Sequence, residues 1–281
     1  MRSKELEPGS KKPNRSTVAD TTVLMPIGGK ATRARDITGD AIPKHLIRLN
    51  NGDTVLDTVC RGLQQVGFRD FVFCLGHHKD QMIDHLSKEA WITDENVTYA
   101  FAEETRPLGV DGAILNAIGK LGLEGKGMII PGDSMLPWEN IASMARRHDQ
   151  WGSDVTVGVT SHITDQTTDV GKIIVEDATD RVIWCYGRTE ATPGKLPNCS
   201  GLTSAGATAL TMAGYTGLCE TYLESRTTGQ DQTLSFRDHV LPWSALNNTF
   251  AIHAFDIQGE VLDLGTPDNI RYGQEHWQEY V

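Results

Sequence analysis

The most chemically suggestive stretch of the chain is Gly28-Gly29-Lys30-Ala31-Thr32-Arg33, which follows directly on the apolar run TVLMPI at residues 22–27. Pro43-Lys44 comes ten residues after it. Adjacent glycines leave backbone amides unscreened, so a phosphate chain can lie against the main chain. Arg33 and Lys44 add the positive charge that a triphosphate demands. The spacing is neither the GxxxxGK[ST] of a P-loop nor the GxGxxG of a dinucleotide fold. Two acidic positions complete the set: Asp133, at the end of the run GMIIP, and Asp263 in Leu262-Asp263-Leu264-Gly265-Thr266. A carboxylate at a strand's carboxyl end beside a phosphate loop suits magnesium. One held between apolar neighbours is costly unless hydrogen-bonded or metal-bound. Each piece also has a plainer reading: a turn with incidental basic residues, a capping Asp, and an N-cap contact for the helix after Thr266.

The elements that must position these residues are legible as a rhythm. Apolar runs at 22–27, 70–76, 97–102 and 127–131 alternate with amphipathic segments at 53–66, 79–89, 111–121 and 141–148. Strands alternating with helices predict a doubly wound sheet. Ligands in such sheets bind beyond the strands' carboxyl ends, which directs attention to the loops after residues 27, 102 and 130. Past residue 150 the chain turns strand-rich, with runs at 154–160, 171–177, 180–186, 202–210, 249–255 and 260–263. Helices are expected near 232–241 and after Thr266. No repeat or linker divides it. The expectation is one α/β domain over 18–281, a Rossmann-like mixed sheet flanked by helices. Residues 1–17, basic and broken by Pro8, Gly9 and Pro13, read as a flexible tail.

The chain has 281 residues, 39% of them hydrophobic, enough to bury a core without staples. Lys and Arg total 26 against 37 Asp and Glu, for a net charge of −11. That disfavours nonspecific nucleic-acid or anionic-membrane binding, and obliges any polyanionic substrate to find local cations or a metal. No apolar run approaches the ~18 residues of a membrane span, and the N-terminus lacks a secretory h-region. Five widely spaced cysteines without a CxxC pair argue against disulfides or a zinc ribbon and for a cytoplasmic protein.

Taken together, GGKATR with Pro43-Lys44, Gly132-Asp133 and Leu262-Asp263-Leu264-Gly265-Thr266 resemble the sugar-1-phosphate nucleotidyltransferases over roughly residues 22–275. Glu104-Thr105-Arg106-Pro107-Leu108-Gly109 with Gly112-Ala113 resembles the guanylyltransferase branch that acts on mannose- or heptose-1-phosphate. Ser204-Ala205-Gly206 is similar to the strand lining that family's sugar pocket, Val170-Gly171 stands where the family has Y-G, and Asp238 with Leu241-Pro242 resembles its D-x-L-P turn. The resemblance implies a glycosyltransferase-A-like fold and magnesium. It implies a nucleoside triphosphate, GTP favoured, and a sugar 1-phosphate as partners. Gly28, Gly29, Lys30, Ala31, Thr32, Glu104 and Gly109 then bind nucleotide, Arg33, Lys44 and Asp133 are catalytic, and Asp133 and Asp263 hold the metal. Gly171, Arg188, Ser204 and Gly206 face the sugar phosphate. No C-terminal β-helix of hexapeptide repeats is visible, and a homodimer is compatible with the sequence.

The departures are informative. Ala31 replaces the usual third glycine and Asp111 a small residue. Val182 to Thr189 aligns on the family's V-x-x-F-x-E-K-P, so Arg188 takes the lysine's place while Gly187 removes the glutamate that holds sugar hydroxyls. That opens the acceptor to an unusual sugar or a cyclitol phosphate; a transferase of the same fold using CTP or UTP, or acting on a non-sugar phosphate, is a separate alternative. A non-catalytic nucleotide-sugar-binding subunit is a further alternative. A carboxylate suits the N1–H and N2–H₂ donors of guanine, whereas a uracil imide suits an amide. Glu104 is the candidate reader, with Glu103 as the alternative. His77 and His78 lack partners at metal spacing and are expected to pack or face solvent.

Overall fold

The computed structural model describes residues 17–29, 39, 42–160, 172–186, 198–226, 234–247 and 249–280. The first strand, β1 (Thr21–Pro26), lies inside a nine-stranded sheet. Its side chains alternate in destination: Val23 and Met25 enter one core cluster and Leu24 the other. Burial on both faces is why the sequence reads as an unbroken apolar run rather than an alternation.

Among the described residues the first α-helix, α1 (Val55–Gln65), starts on a capping box in which Thr54 and Asp57 exchange side-chain-to-backbone bonds. It leads to β2 (Asp70–Leu75), buried throughout, and α2 (Lys79–Leu86), which buries Met82 and Leu86. Next come β3 (Thr98–Glu103), α3 (Gly109–Leu121) and β4 (Lys126–Ile129). Strands β1, β2, β3 and β4 run parallel in the spatial order β4-β1-β2-β3. A short β5 (Ser134–Met135) and α4 (Trp138–Trp151) follow, then β6 (Val155–Thr160), β7 (Lys172–Glu176) and β8 (Val182–Tyr186).

The long β9 (Cys199–Thr211) makes the sheet mixed. It pairs antiparallel with β6 on one side and, on the other, with β4 through residues 208–211 and with β7 through residues 199–203. Helix α5 (Met212–Ser225) begins where β9 stops, with Thr211 accepting from the Gly214 amide as N-cap. This helix is absent from the sequence reading: no turn residues separate it from the strand, and its apolar residues form no clear stripe. A π-helical turn at Phe236–Val240 runs into α6 (Leu241–Asn247), and β10 (Ile252–Asp256) completes the edge beside β6. The predicted strand at 260–263 shrinks to β11 (Leu262–Asp263), which pairs with β5 outside the main sheet, and α7 (Pro267–His276) follows. Among the described residues no helix is long and apolar enough to cross a membrane.

Helices α1, α2 and α4 cover one face through Leu56, Leu63, Met82 and Ile141; α3, α5 and α6 cover the other through Ile114, Leu218 and Leu241. Each fully buried Leu or Ile contributes roughly 1.5–3 kcal/mol against exposure. That rigidity fixes the strand ends, and with them the loops that carry the polar residues.

Candidate active site

A cleft of about 770 Å³ opens at the carboxyl ends of β1, β2, β3 and β4. It is lined by the segments that leave those strands, Gly28-Gly29, Gly76-His77, Glu104 to Gly109 and Pro131 with Asp133, together with Lys44-His45 and Gly206. These include all three loops that the strand pattern singled out.

The floor is set by close main-chain approach. The Gly28 carbonyl accepts from the His77 amide at 3.0 Å. A methyl group on Gly28 would lie 2.6 Å from the Gly76 nitrogen, closer than real Cβ atoms come. Glycine is required at residue 28 because another backbone passes, not for its torsional freedom. On the far wall, α3 begins at Gly109 (φ +76°), and Gly109, Val110 and Ala113 line the cleft. The helix thus presents its N-terminal end, the positive end of its dipole, there, as anion sites do. Glu104 sits just before it, one carboxylate oxygen accepting from the Leu108 amide at 3.1 Å.

Lys44 and Asp133, 89 residues apart, meet as a salt bridge. Asp133 is only 8% exposed. Burial by itself would push its carboxyl up, but the Lys44 charge and hydrogen bond outweigh it and hold the group below the usual carboxylate range. His45 is 2% exposed, and burial drives its imidazole down to about 4 against the pull of the Asp133 carboxylate, so it is neutral at pH 7. Its Nδ1 is buried without a hydrogen-bond partner among the described residues.

Asp263 reaches this neighbourhood through the β5–β11 ladder. It sits opposite Ser134, and the Leu264 amide donates to the Asp133 carbonyl at 2.9 Å. The two acidic positions, 130 residues apart in sequence, are therefore neighbours in backbone, although Asp263 is not among the cleft-lining residues. Asn269 of α7 donates to the Asp263 carbonyl at 2.7 Å and braces the strand.

Of the predicted nucleotide positions, Gly28, Gly29, Glu104 and Gly109 line the cleft. Lys30, Ala31, Thr32 and Arg33 lie outside the described residues, as do Gly171 and Arg188 of the predicted acceptor side. Gly206 (φ +82°) lines the cleft, whereas Ser204 stands two residues back on β9, its hydroxyl accepting from the Gly206 amide. Of the two adjacent glutamates Glu104 lines the cleft and Glu103 does not; Glu103 pairs with Lys79 at 2.7 Å. Residues missed by the sequence reading include His45, Cys74, Gly76 and Arg106. His77, expected at the surface or in packing, also lines the cleft. His45 stands next to Lys44, a signal that adjacency alone could have supplied.

Comparison with known proteins gives this arrangement a family. The nucleotidyl transferase profile matches residues 22–184, more than half of the chain. The chain belongs to that family. Curated relatives of this nucleotidyl transferase include a mannose-1-phosphate guanyltransferase of Emericella nidulans. It is 28% identical over 139 residues, which are 48% of this chain and 37% of that protein. Another, from Schizosaccharomyces pombe, is 24% identical over 252 residues, 89% of this chain and 62% of that one. The chain thus spans less than two thirds of the length of these relatives. Its fold is shared with the inositol-1-phosphate CTP transferase of T. maritima, at a TM-score of 0.70, 18% identity and coverage of 94% and 98% of the two chains. It is also shared with HddC of Yersinia pseudotuberculosis, solved with GMP-PN, at 0.65, 22%, 92% and 99%.

Proposed function

We propose that this nucleotidyl transferase moves a nucleoside monophosphate, GMP by preference, from a triphosphate to a sugar 1-phosphate or sugar-like phosphate. The observation that carries the reading is the Lys44–Asp133 pair on the wall of a cleft floored by Gly28 and Gly76. An acceptor phosphate oxygen attacks the α-phosphorus, the bond to the β-phosphate oxygen breaks, and pyrophosphate leaves with the electron pair. A phosphate monoester is already ionised at pH 7, so no general base is needed. The chain's task is positioning and charge. Main-chain amides near Gly28 and the start of α3 receive the phosphates, and Lys44 neutralises charge at the α-phosphorus. Arg33 is assigned to the departing phosphates and Arg188 to the acceptor. Glu104 accepts from N1–H and N2–H₂ of guanine, a pairing that rejects bases lacking those donors.

A divalent ion, magnesium in this proposal, fits the donor set. Magnesium takes one or two carboxylates together with substrate phosphates, and Asp133 is buried, ionised and at the cleft, with Asp263 adjacent in backbone. When bound, it supplies charge neutralisation between two anionic substrates. A second reading, a cytidylyl or uridylyl transfer to a cyclitol phosphate, draws on Gly187 and on the fold shared with an inositol-1-phosphate CTP transferase.

Four nucleoside triphosphates against mannose-, glucose-, heptose- and inositol-1-phosphates, scored by pyrophosphate release with Mg²⁺, test both. Release with GTP and a hexose or heptose phosphate supports the first reading, and release with CTP and inositol phosphate the second. No release from any pair, with tight binding of a nucleotide-diphosphate sugar, refutes both in favour of a binding subunit. Asp133→Asn is expected to abolish turnover while leaving the fold intact.

A further inference from the structure

We propose that Gly76 is a specificity-determining position: the absence of a side chain there fixes the Glu104 carboxylate in the one placement from which it reads a base. The inference rests on the guanine reading above and deepens it. Gly76 follows β2 directly, and Glu104 follows the neighbouring β3, with its amide donating to the Leu75 carbonyl at 2.9 Å. Both line the cleft. A methyl group on Gly76 would fall on Glu104 Oε1 and within 2.9 Å of the Gly28 carbonyl oxygen. The carboxylate therefore occupies the space that any other residue at 76 would fill.

The other carboxylate oxygen, Oε2, is held by the Leu108 amide at 3.1 Å. One oxygen anchored by main chain and the other seated over a bare Cα leave a single rotamer. Among the described residues Oε1 meets no donor, and Oε2 keeps a second lone pair. Two parallel acceptor sites are thus presented in a fixed plane, and fixing them beforehand spares the ordering cost at the moment of binding. Cys74, two residues earlier on the same strand and also lining the cleft, has its thiol pushed up to about 12, chiefly by burial. It stays neutral and does not compete for the donors.

The end of a glutamate side chain yields more readily than backbone does. Gly76→Ala is therefore expected to turn Glu104 out of the cleft before it disturbs Gly28. The test is calorimetric binding of GTP and of ITP, which lacks the 2-amino donor, to the full chain with Mg²⁺. The proteins compared are the wild type, Gly76→Ala, Glu104→Ala and the double variant. Wild type is expected to prefer GTP about tenfold or more, the worth of one hydrogen bond to a charged group. Gly76→Ala and Glu104→Ala should each bring that ratio near one. The double variant should match Glu104→Ala in ratio and melt no lower than Gly76→Ala, since the clash is gone. A Gly76→Ala protein that keeps the preference overturns the proposal. So does one that fails to fold together with the double variant, because the glycine would then act through Gly28. A wild type without the preference, or a Glu104→Ala protein that retains it, sinks the guanine reading and this proposal with it.

Discussion

Replacing Lys44 by Met should cost stability in a way that depends on pH with a defined sign, whatever the substrate proves to be. In the wild type the Lys44 charge holds the Asp133 carboxyl below its usual value of 3.8. A carboxyl depressed in the folded state contributes stability above the unfolded value and loses it as pH falls through the folded one. In Lys44→Met the opposing influence, burial, is left in command, and the carboxyl rises above 3.8. The sign then reverses. The variant loses stability as pH climbs from 3.8 through the new folded value, because an unpaired charge must be kept in the cleft wall. Breaking a buried pair by removing one partner costs roughly 3–5 kcal/mol. With side chains 18% and 11% exposed, some water reaches the pair, so the lower end applies, about 3 kcal/mol near pH 8.

Urea denaturation followed by tryptophan fluorescence at pH 8 and pH 4.5 reads both quantities. The deficit should be largest at pH 8 and shrink markedly at pH 4.5, with m-values unchanged. Adding Asp133→Asn to Lys44→Met should recover most of the loss at pH 8, since no buried charge remains. A deficit equal at both pH values, or a double variant no more stable than the single one, would show that Lys44 matters through packing. The electrostatic account of this cleft would then be wrong.

How much of this was legible in the sequence depended on whether the signal was local. β1, β2 and β4 declared themselves because strands buried on two faces admit only apolar residues. Gly28, Glu104 and Asp133 could be placed at the cleft because strand ends dictate where loops gather. What escaped depends on contacts between distant parts of the chain. Nothing around Asp133 announces that Lys44 will neutralise it. Nothing near residue 76 shows that its missing side chain is filled by Glu104. Asp111, which stood out only as a departure from a small residue, proves to be a core carboxylate. It accepts from the Tyr215 hydroxyl and the Phe236 amide, both at 2.6 Å. It ties the start of α3 to the π-helical turn, a tertiary purpose without a sequence signature. α5 was missed because β9 passes into it without a breaker. β11 came out shorter than expected because its partner is the two-residue β5 rather than the main sheet.

Three further outcomes test the surrounding scaffold. Asp111→Ala strands the Tyr215 hydroxyl and the Phe236 amide in the core and should cost about 2–6 kcal/mol in chemical denaturation, at roughly 1–3 per unsatisfied group; a loss under about 0.5 would contradict the bonding. His148, 3% exposed with Nδ1 on the Thr156 hydroxyl at 2.9 Å, is driven by burial from 6.5 down to about 4. Its neutrality therefore stabilises the fold above pH 6.5, and up to about 3 kcal/mol is lost as pH falls from 6.5 through 4, an acid limb that His148→Gln should flatten. His85 carries the opposite sign. Its hydrogen bond to Asp57 at 3.1 Å raises its pKa, so its contribution is complete below 6.5 and disappears as pH rises through the folded value. Asp57, His85 and Glu89 converge within 4.8 Å and could be mistaken for a metal site. The Asp57 carboxylate, however, is already spent on Thr54 and on the Trp91 indole N–H at 3.0 Å. His85→Gln should thus lower stability at pH 6 more than at pH 9 and shift Trp91 fluorescence, with no response to chelators. A pH-independent loss would reduce His85 to a packing residue, and a chelator-sensitive one would make the triad a metal centre after all.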